Sequence, residues 1–179
     1  MNKARNVFLV GAMGSGKTAV GRRLARELGM DFIDSDEEIQ RCTGVDIKFI
    51  FEKEGESLFR KREKTIISDL TQMENLVLAT GGGSILDAKN RDLLRTHGIV
   101  VYLETSVKQQ ILRTQKSKAR PLLIGNNPET ILTRLMIVRG PLYEKVAHIS
   151  VNTEKQRVTA VVKEIKEKLL QQNLISLKK

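Results

Sequence analysis

The hydrophobic residues of this chain fall in short runs, and longer stretches of mixed polarity separate them. Five of the runs are short and largely apolar, which predicts buried strands. They are Asn6–Val10, Asp31–Asp34, Leu76–Ala79, Ile99–Leu103 and His148–Val151. Since stretches of helical period lie between them, the pattern predicts an α/β fold with a parallel sheet covered on both faces.

Helical periodicity fills the intervals between the predicted strands. An apolar stripe that begins at Val20 predicts a helix that ends at Gly29. Ser35 predicts an N-cap for the next helix, with Glu38 three residues on as in a capping box. Further helices are predicted at 46–73 with one break at Gly55, at 87–97, at 106–115 with Ser106 as the cap, at 131–138, and over a final stripe formed by Val158, Val161, Val162, Ile165 and Leu169.

Two stretches lack periodicity. Lys116–Pro128 is polar and basic and contains two prolines and several turn residues, so we expect a long mobile loop. The chain after Asn173 is expected to be loose. We find no internal repeat, low-complexity segment or dividing linker, so residues 1–179 are predicted to form one domain.

Composition narrows the class of partner. The net charge is +10, from 31 Lys and Arg against 21 Asp and Glu. Such a charge suits either nucleic acid or small anionic substrates. Aromatic residues are only 4% of the chain and tryptophan is absent, so platforms for base stacking are scarce. We therefore favour small anions.

Other features favour a cytoplasmic protein. Cys42 is the only cysteine, so an intramolecular disulfide is excluded. No apolar run approaches the roughly 18 residues that a membrane helix needs. The basic start and the apolar run after it resemble a signal peptide loosely, but that run leads into a phosphate-binding motif that cleavage would destroy. We expect no membrane partner and a monomer.

The clearest motif is GAMGSGKT, from Gly11 to Thr18. It fits G-x-x-x-x-G-K-[ST] and lies between a predicted strand and a predicted helix, as a phosphate-binding loop requires. Lys17 would reach the β- and γ-phosphates of a nucleotide, and the Thr18 hydroxyl would ligate Mg²⁺. No N-K-x-D motif for guanine is present, and the chain is short for a motor or transporter ATPase. A small kinase is the expected class.

Two carboxylates, Asp34 and Asp36, follow the second predicted strand. Ligands of open α/β sheets bind at the carboxyl ends of the strands. One carboxylate could hold magnesium through a water, and the other could accept the proton of an acceptor hydroxyl. The same acids could instead only favour the N-terminus of a helix, and their spacing does not decide between these interpretations.

A second glycine-rich segment, Gly81–Gly83, follows the third predicted strand. A single glycine would satisfy a turn that needs a positive φ. Three glycines indicate that another group approaches the backbone closely. We expect a side chain at Gly82 to occupy space meant for the acceptor.

Six ordered blocks resemble the shikimate kinase family over nearly the whole chain. They are GAMGSGKT, DSD at Asp34–Asp36, F-x-x-x-G-E-x-x-F-R-x-x-E at Phe51–Glu63, ATGGG at Ala79–Gly83, RTQKSKARPLL around the predicted loop, and RGPLY at Arg139–Tyr143. The resemblance implies phosphorylation of the shikimate 3-hydroxyl by MgATP, in aromatic amino-acid biosynthesis. It also implies a three-layer αβα P-loop kinase with a five-stranded parallel sheet of order 2-3-1-4-5, a mobile lid at about 113–127 and a substrate-binding helical segment at about 35–63.

The resemblance also implies roles for single residues. Lys17, Asp36 and Arg120 would be catalytic, with Asp36 as the base and Arg120 closing from the lid. Arg60 and Arg139 would clamp the substrate carboxylate, which suits guanidinium groups. Gly81, Gly82 and Gly83 would complete the shikimate pocket, and Thr18 and Asp34 would serve Mg²⁺, the latter through water. ATP would contact Gly14, Ser15, Gly16, Lys17, Thr18, Ala19, Arg113, Arg120 and Gln156.

Two departures and two alternatives accompany this interpretation. Ala19 stands where many members carry a second hydroxyl, and the adenine contact falls at Gln156 or at the adjacent Arg157. A gluconate kinase of the same fold would also take a carboxylate polyol, although DSD and the pairing of GGG with RGPLY favour shikimate. A nucleotide-regulated RNA-binding module would account for the net charge of +10.

Overall fold

A parallel sheet of five strands lies at the centre of the computed structural model, which describes residues 6–114 and 127–174. The strands run β2-β3-β1-β4-β5 across the sheet, and each neighbouring pair is parallel. Their bounds are β1 (Asn6–Val10), β2 (Asp31–Asp34), β3 (Leu76–Ala79), β4 (Gly98–Glu104) and β5 (Ile149–Asn152). The predicted strand order is thereby confirmed.

Helices connect the strands and cover both faces of the sheet. In chain order they are α1 (Lys17–Leu28), α2 (Ser35–Thr43), α3 (Ile47–Lys53), α4 (Gly55–Thr71), α5 (Ala88–His97), α6 (Val107–Thr114), α7 (Pro128–Val146) and α8 (Val158–Gln171), with a 3₁₀ turn at Ser84–Leu86. In the described part of the chain, no helix combines the length and apolarity that crossing a membrane would require.

The residues of β1 divide the core into two layers. All five are buried, and successive side chains point to opposite faces of the sheet. Val7 and Leu9 pack with apolar residues of α1 and α8, whereas Phe8 and Val10 pack with residues of α4, α5 and α7. Because helices cover both faces, the interior of the sheet is closed to ligands. The candidate site lies instead at the carboxyl ends of the strands.

A third and smaller cluster lies among α2, α3 and α4, which form the segment that follows β2. Its fully buried members are Ile39, Ile50 and Phe59. The two predicted helical patterns of 46–73 are confirmed, and the break falls at Gly55, where φ is +83°. This segment has its own core and packs beside the carboxyl edge of the sheet.

The predicted N-cap of α2 is wrong by one residue. Asp34 caps the helix, because its Oδ1 accepts the backbone N–H groups of Asp36 and Glu37. Ser35 is the first helical residue, and its hydroxyl accepts the N–H of Gly81 instead. A charged carboxylate at the end of β2 is a stronger acceptor for the helix N-terminus than the hydroxyl beside it.

Helix α7 is longer than predicted. It begins at Pro128, which Asn127 caps, and continues through Gly140 and Pro141 to Val146. A proline inside a helix removes one hydrogen bond, here to the carbonyl of Ile137. Ile137 is 70% exposed, so water can reach this turn of the helix. The remainder of the predicted loop, including Arg120, lies outside the described residues.

Candidate active site

The phosphate-binding loop joins β1 to α1 at the carboxyl edge of the sheet. Gly14 and Gly16 have φ of +76° and +94°, a conformation that disfavours side chains. A β-carbon on Gly14 would also lie 3.3 Å from the Cα of Gln110 on α6. Lys17 donates from Nζ to the carbonyl oxygens of Gly11 and Ala12, at 2.8 and 2.9 Å. The loop thus keeps the backbone path that lets N–H groups converge on an anion.

Thr18 and Asp34 connect this loop to the end of β2. The Thr18 hydroxyl donates to Oδ2 of Asp34 at 2.7 Å, while Oδ1 of the same carboxylate caps α2. One oxygen of Asp34 therefore caps α2, and the other faces the phosphate-binding loop. The role of Asp34 toward magnesium stays a prediction. Within the ranges described, no group of three or more His, Cys, Asp or Glu residues could by itself hold a metal ion.

The same pocket is also lined by an ion pair between Arg60 and Glu63 of α4. Arg60 donates from Nη1 to Oε2 of Glu63 at 2.8 Å, and the Glu63 side chain is only 2% exposed. Burial raises the pKa of Glu63, and the positive charges of Arg60 and Arg139 offset only part of that rise. Oε1 of Glu63 is buried and has no hydrogen-bond partner among the described residues. Two cations and one carboxylate thus lie close together in low dielectric.

The glycine triplet allows these groups to approach the backbone. A β-carbon on Gly81 would lie 2.7 Å from Oδ1 of Asp36 and 2.8 Å from Oε1 of Glu63. A β-carbon on Gly83 would lie 2.4 Å from Nη1 of Arg60. None of the three glycines has a positive φ, so close approach and not the turn requires glycine at two of these positions.

Gly82 differs from its neighbours. A β-carbon there would make ordinary contacts of 3.5 to 3.6 Å with the carbonyl of Gly11, the N atom of Met13 and the Tyr143 hydroxyl. It would point toward the phosphate-binding loop and α7. A side chain at Gly81 or Gly83 would therefore clash more severely than one at Gly82, the position at which the sequence predicted the conflict.

Arg113 joins the phosphate-binding loop to the segment after β5. Its guanidinium donates to the carbonyl of Gly14 at 3.0 Å, and to the hydroxyl and carbonyl of Thr153 at 3.1 and 2.7 Å. Gln156 lies in the same segment and donates to the carbonyl of Asn152 at 2.9 Å. These contacts fix the edge of the pocket that is nearest to α6 and β5.

One pocket of about 870 Å³ brings most of the predicted residues together. Its lining includes Gly14, Gly16, Lys17, Thr18, Ala19, Asp34, Asp36, Arg60, Gly81, Gly82, Gly83, Arg113 and Arg139. Ser15 belongs to the phosphate-binding loop but is fully buried, and neither Ser15 nor Gln156 is part of the lining. Arg120 lies outside the residues that the structure describes.

Sequence reasoning missed two residues of the site. Glu63 stands three positions after Arg60, and Tyr143 stands four positions after Arg139. Both spacings place two side chains on one face of a helix, so the signal was available. Glu63 ends the block Phe51–Glu63, and Tyr143 ends the block Arg139–Tyr143, but the resemblance to the family implies no role for either.

The fold and the pocket together define a P-loop kinase that acts on a small anionic acceptor. The phosphate-binding loop lines one pocket with Arg60, which is partly exposed, the buried Arg139 and the glycine triplet. Comparison with known proteins then gives the family. The shikimate kinase family profile matches residues 13–170, and the chain belongs to this family. It is therefore a kinase.

Curated relatives match over almost their whole length. A shikimate kinase of Haemophilus influenzae is 52% identical over 166 residues, which are 92% of each chain. One from Pseudoalteromonas atlantica is 50% identical over 171 residues, covering 96% of this chain and all of the relative.

Solved structures of shikimate kinases also resemble this chain. A shikimate kinase from Acinetobacter baumannii in complex with shikimate has a TM-score of 0.93 at 49% identity and covers 96% of both chains. A gluconokinase from Sinorhizobium meliloti has a TM-score of 0.56 at 19% identity. The latter likeness shows the fold alone, so it does not favour a gluconate kinase.

Proposed function

We propose that this chain transfers the γ-phosphate of ATP to the 3-hydroxyl of shikimate, giving shikimate 3-phosphate and ADP. The observation that carries the proposal is the pair of arginines, Arg60 and Arg139, that line the same pocket as the phosphate-binding loop. The Acinetobacter baumannii relative, 49% identical, was solved in complex with shikimate. Family and pocket chemistry therefore favour the same acceptor.

Arg60 and Arg139 bind the carboxylate of shikimate. Arg139 is only 6% exposed, so its interaction with an anion is weakly screened by water. Arg60 is held by Glu63 on one side and Glu56 on the other, at 2.8 and 2.9 Å. A guanidinium that is already oriented loses little freedom on binding, which favours tight and directional recognition.

Asp36 acts as the general base. It lies in the first turn of α2, lines the pocket and faces Gly81. Its carboxylate takes the proton of the 3-hydroxyl as that oxygen bonds to the γ-phosphorus, and the bond to the β-phosphate oxygen breaks in line. Lys17 stabilises the charge on the transferring group, and ADP leaves with the bridging oxygen.

The residues around Thr18 fit a magnesium ion. One hydroxyl and one carboxylate oxygen are the hard donors that Mg²⁺ prefers, and this ion usually keeps several waters and binds phosphates besides. Thr18 would ligate the ion directly, and Asp34 would hold one of its waters. When bound, the ion would neutralise charge on the β- and γ-phosphates.

The adenosine end of ATP lies toward α6. Arg113 and Gln156 form this side of the proposed nucleotide site, and the backbone of Gly14 to Ala19 holds the phosphates. Arg120 supplies a further positive charge to the phosphates in the manner of an arginine finger. The support for Arg120 is its position in a sequence block shared with the family.

The test measures ADP release with ATP, in the presence and absence of shikimate. Shikimate should stimulate turnover strongly, and gluconate at the same concentration should not. Asp36→Asn should lower kcat by about 100-fold or more, because general-base catalysis typically contributes that much. Asp31→Asn, at the exposed start of β2, is the matched control and should retain activity. Full activity of Asp36→Asn would remove the assigned role.

We also propose that the enzyme is a cytoplasmic monomer. ATP supply and the single exposed thiol of Cys42 suit a reducing compartment. Sedimentation velocity at micromolar concentration should give one species near the chain mass of 20.2 kDa. A concentration-dependent increase in sedimentation would contradict the monomer.

A further inference from the structure

Tyr143 connects helix α7 to the glycine loop on the acceptor side. Its hydroxyl donates to the carbonyl oxygen of Gly82 at 2.5 Å, across 61 residues of sequence. Tyr143 is fully buried. The direct partner of a buried hydroxyl usually has a defined position, because losing the bond would leave a desolvated polar group unpaired.

The ring of Tyr143 cannot move easily. It stacks on Tyr102 of β4, with ring centroids 5.2 Å apart and planes inclined by 21°. Both rings belong to the core cluster that includes Val10, the last residue of β1, and Ala12 of the phosphate-binding loop. The hydroxyl is therefore presented to the glycine loop by a rigid part of the sheet core.

The loop is also held from its other side. The backbone N–H of Gly81 donates to the buried Ser35 hydroxyl at 2.9 Å, and the Thr80 hydroxyl donates to the carbonyl of Leu9 at 3.0 Å. In a trans peptide, the C=O of one residue and the N–H of the next point in opposite directions. Tyr143 thus sets the direction of the N–H of Gly83 by fixing the carbonyl of Gly82.

Helix α7 also carries Arg139, one turn before Tyr143. Residues four apart lie on the same face of a helix, so both side chains reach the pocket wall together. We propose that Tyr143 is a positioning residue for the acceptor: its bond to Gly82 keeps the glycine loop in register with Arg139, so that the carboxylate clamp and the loop bind shikimate as one unit. This inference rests on the proposed function.

The chemistry of the phenol supports this role. Burial raises the pKa of Tyr143, and the nearby charge of Arg139 opposes that rise only in part. The hydroxyl therefore keeps its proton over the range in which the enzyme would be assayed. It remains a donor to Gly82 throughout, as a positioning bond requires.

The test compares Tyr143→Phe with Tyr102→Phe as the matched control. Both variants lose one hydroxyl and keep the stacked rings. We expect Tyr143→Phe to raise KM for shikimate about five- to tenfold, the effect of one hydrogen bond, with KM for ATP changed less than twofold. Tyr102→Phe should leave both constants within twofold of the parent. An unchanged KM for shikimate, or equal increases for both substrates, would overturn the inference.

A second measurement does not depend on the Tyr143→Phe variant folding. The chain has two tyrosines, so in Tyr102→Phe protein Tyr143 is the only one. Incorporating 3-fluorotyrosine then gives a single ¹⁹F resonance at the proposed bond. Saturating shikimate should shift this resonance, and an unchanged resonance would overturn the inference. Failure of the parent enzyme to phosphorylate shikimate would instead refute the proposed function.

Discussion

At the scale of single residues, the site depends on charges buried beside bare backbone. Arg60, Glu63 and Asp36 all approach the glycine loop within distances that no side chain at Gly81 or Gly83 would permit. The neighbouring side chains thus require glycine at positions 81 and 83. The role of these glycines follows from packing and electrostatics.

The first prediction concerns Gly83→Ala. The new β-carbon would lie within 2.6 Å of Nη1, Nη2 and Cζ of Arg60. Since the guanidinium is the far end of a flexible side chain, it should move and the fold should survive. We expect KM for shikimate to rise about tenfold, the value of a charge-assisted hydrogen bond, with KM for ATP nearly unchanged. Gly82→Ala should have the smaller effect, because its contacts are ordinary. Steady-state kinetics with each substrate varied would check this, and the reverse order would contradict it.

The second prediction concerns the pH dependence of stability. Burial raises the pKa of Glu63 above its ordinary value of 4.5, so the folded state binds this proton more tightly than the unfolded state. Stability from this group is therefore complete below about pH 4.5 and declines as pH rises toward the folded pKa. Glu63→Gln removes this decline, because the amide does not ionise.

The measurement is the free energy of unfolding in urea from pH 4 to pH 8. Relative to the parent, Glu63→Gln should become progressively more stable as pH rises through this window. Asp87→Asn is a useful contrast, because its hydrogen bond with Lys64 lowers the pKa of Asp87 and stability from that group is lost toward acid pH. A constant difference between Glu63→Gln and the parent at every pH would contradict the assignment.

At the scale of elements, the beginning of α2 links folding to catalysis. Asp34 ends β2, caps α2 and accepts from Thr18 of the phosphate-binding loop. The cap fixes the first turn of α2, which carries Asp36. One carboxylate therefore orients the proposed base and reaches the proposed metal site.

The third prediction separates these two duties of Asp34. Asp34→Ala and Asp87→Ala each remove an aspartate N-cap, the second from α5 at a distance from the pocket. Each should lose about 1 kcal/mol of unfolding free energy, the usual value of a cap. Only Asp34→Ala should also lower kcat and raise the Mg²⁺ concentration needed for half-maximal activity. Parallel urea titrations and kinetics would check this, and equal activity losses would contradict it.

The prediction of strands and helices was accurate where hydrophobic periodicity determines the element. It was less accurate where packing overrides a local signal such as proline. The strands and the pattern of α1 followed from periodicity alone. Helix α7 was predicted at 131–138, but it continues to Val146 through Gly140 and Pro141, residues that ordinarily stop helices. Burial of Tyr143 and Val146 holds the helix together beyond the proline, and no local signal shows this. The candidate site residues were predicted from motifs and from blocks shared with the family. Helical spacing could have indicated Glu63 and Tyr143, but the bond from Tyr143 to Gly82 joins residues 61 apart and has no signal in the sequence.

At the scale of the whole molecule, the core is unevenly distributed. Two large clusters cover the faces of the sheet, while the cluster beneath α2, α3 and α4 has only three fully buried apolar residues. Segments with few buried contacts open at lower free energy than the global unfolding transition. We therefore expect the segment of α2, α3 and α4, which forms the proposed acceptor side of the pocket, to open at lower free energy than the sheet.

The fourth prediction follows from this distribution. Amide hydrogen exchange should be faster over α3 than over β1 and β4, and shikimate should slow the exchange of α3 because Phe51 and Ile47 line the pocket. Exchange in β1 and β4 serves as the internal control and should change little. Mass spectrometry of proteolytic fragments would measure it. Equal protection of α3 and β1 without ligand would contradict the prediction.

The stacked tyrosines also have an optical consequence. The chain contains no tryptophan, and its only tyrosines, Tyr102 and Tyr143, lie 5.2 Å apart between β4 and the glycine loop. The tyrosine emission of the protein therefore originates at one buried place, which adjoins the glycine loop. If shikimate changes the surroundings of Tyr143, the emission of the unlabelled protein should change with occupancy of the proposed acceptor site.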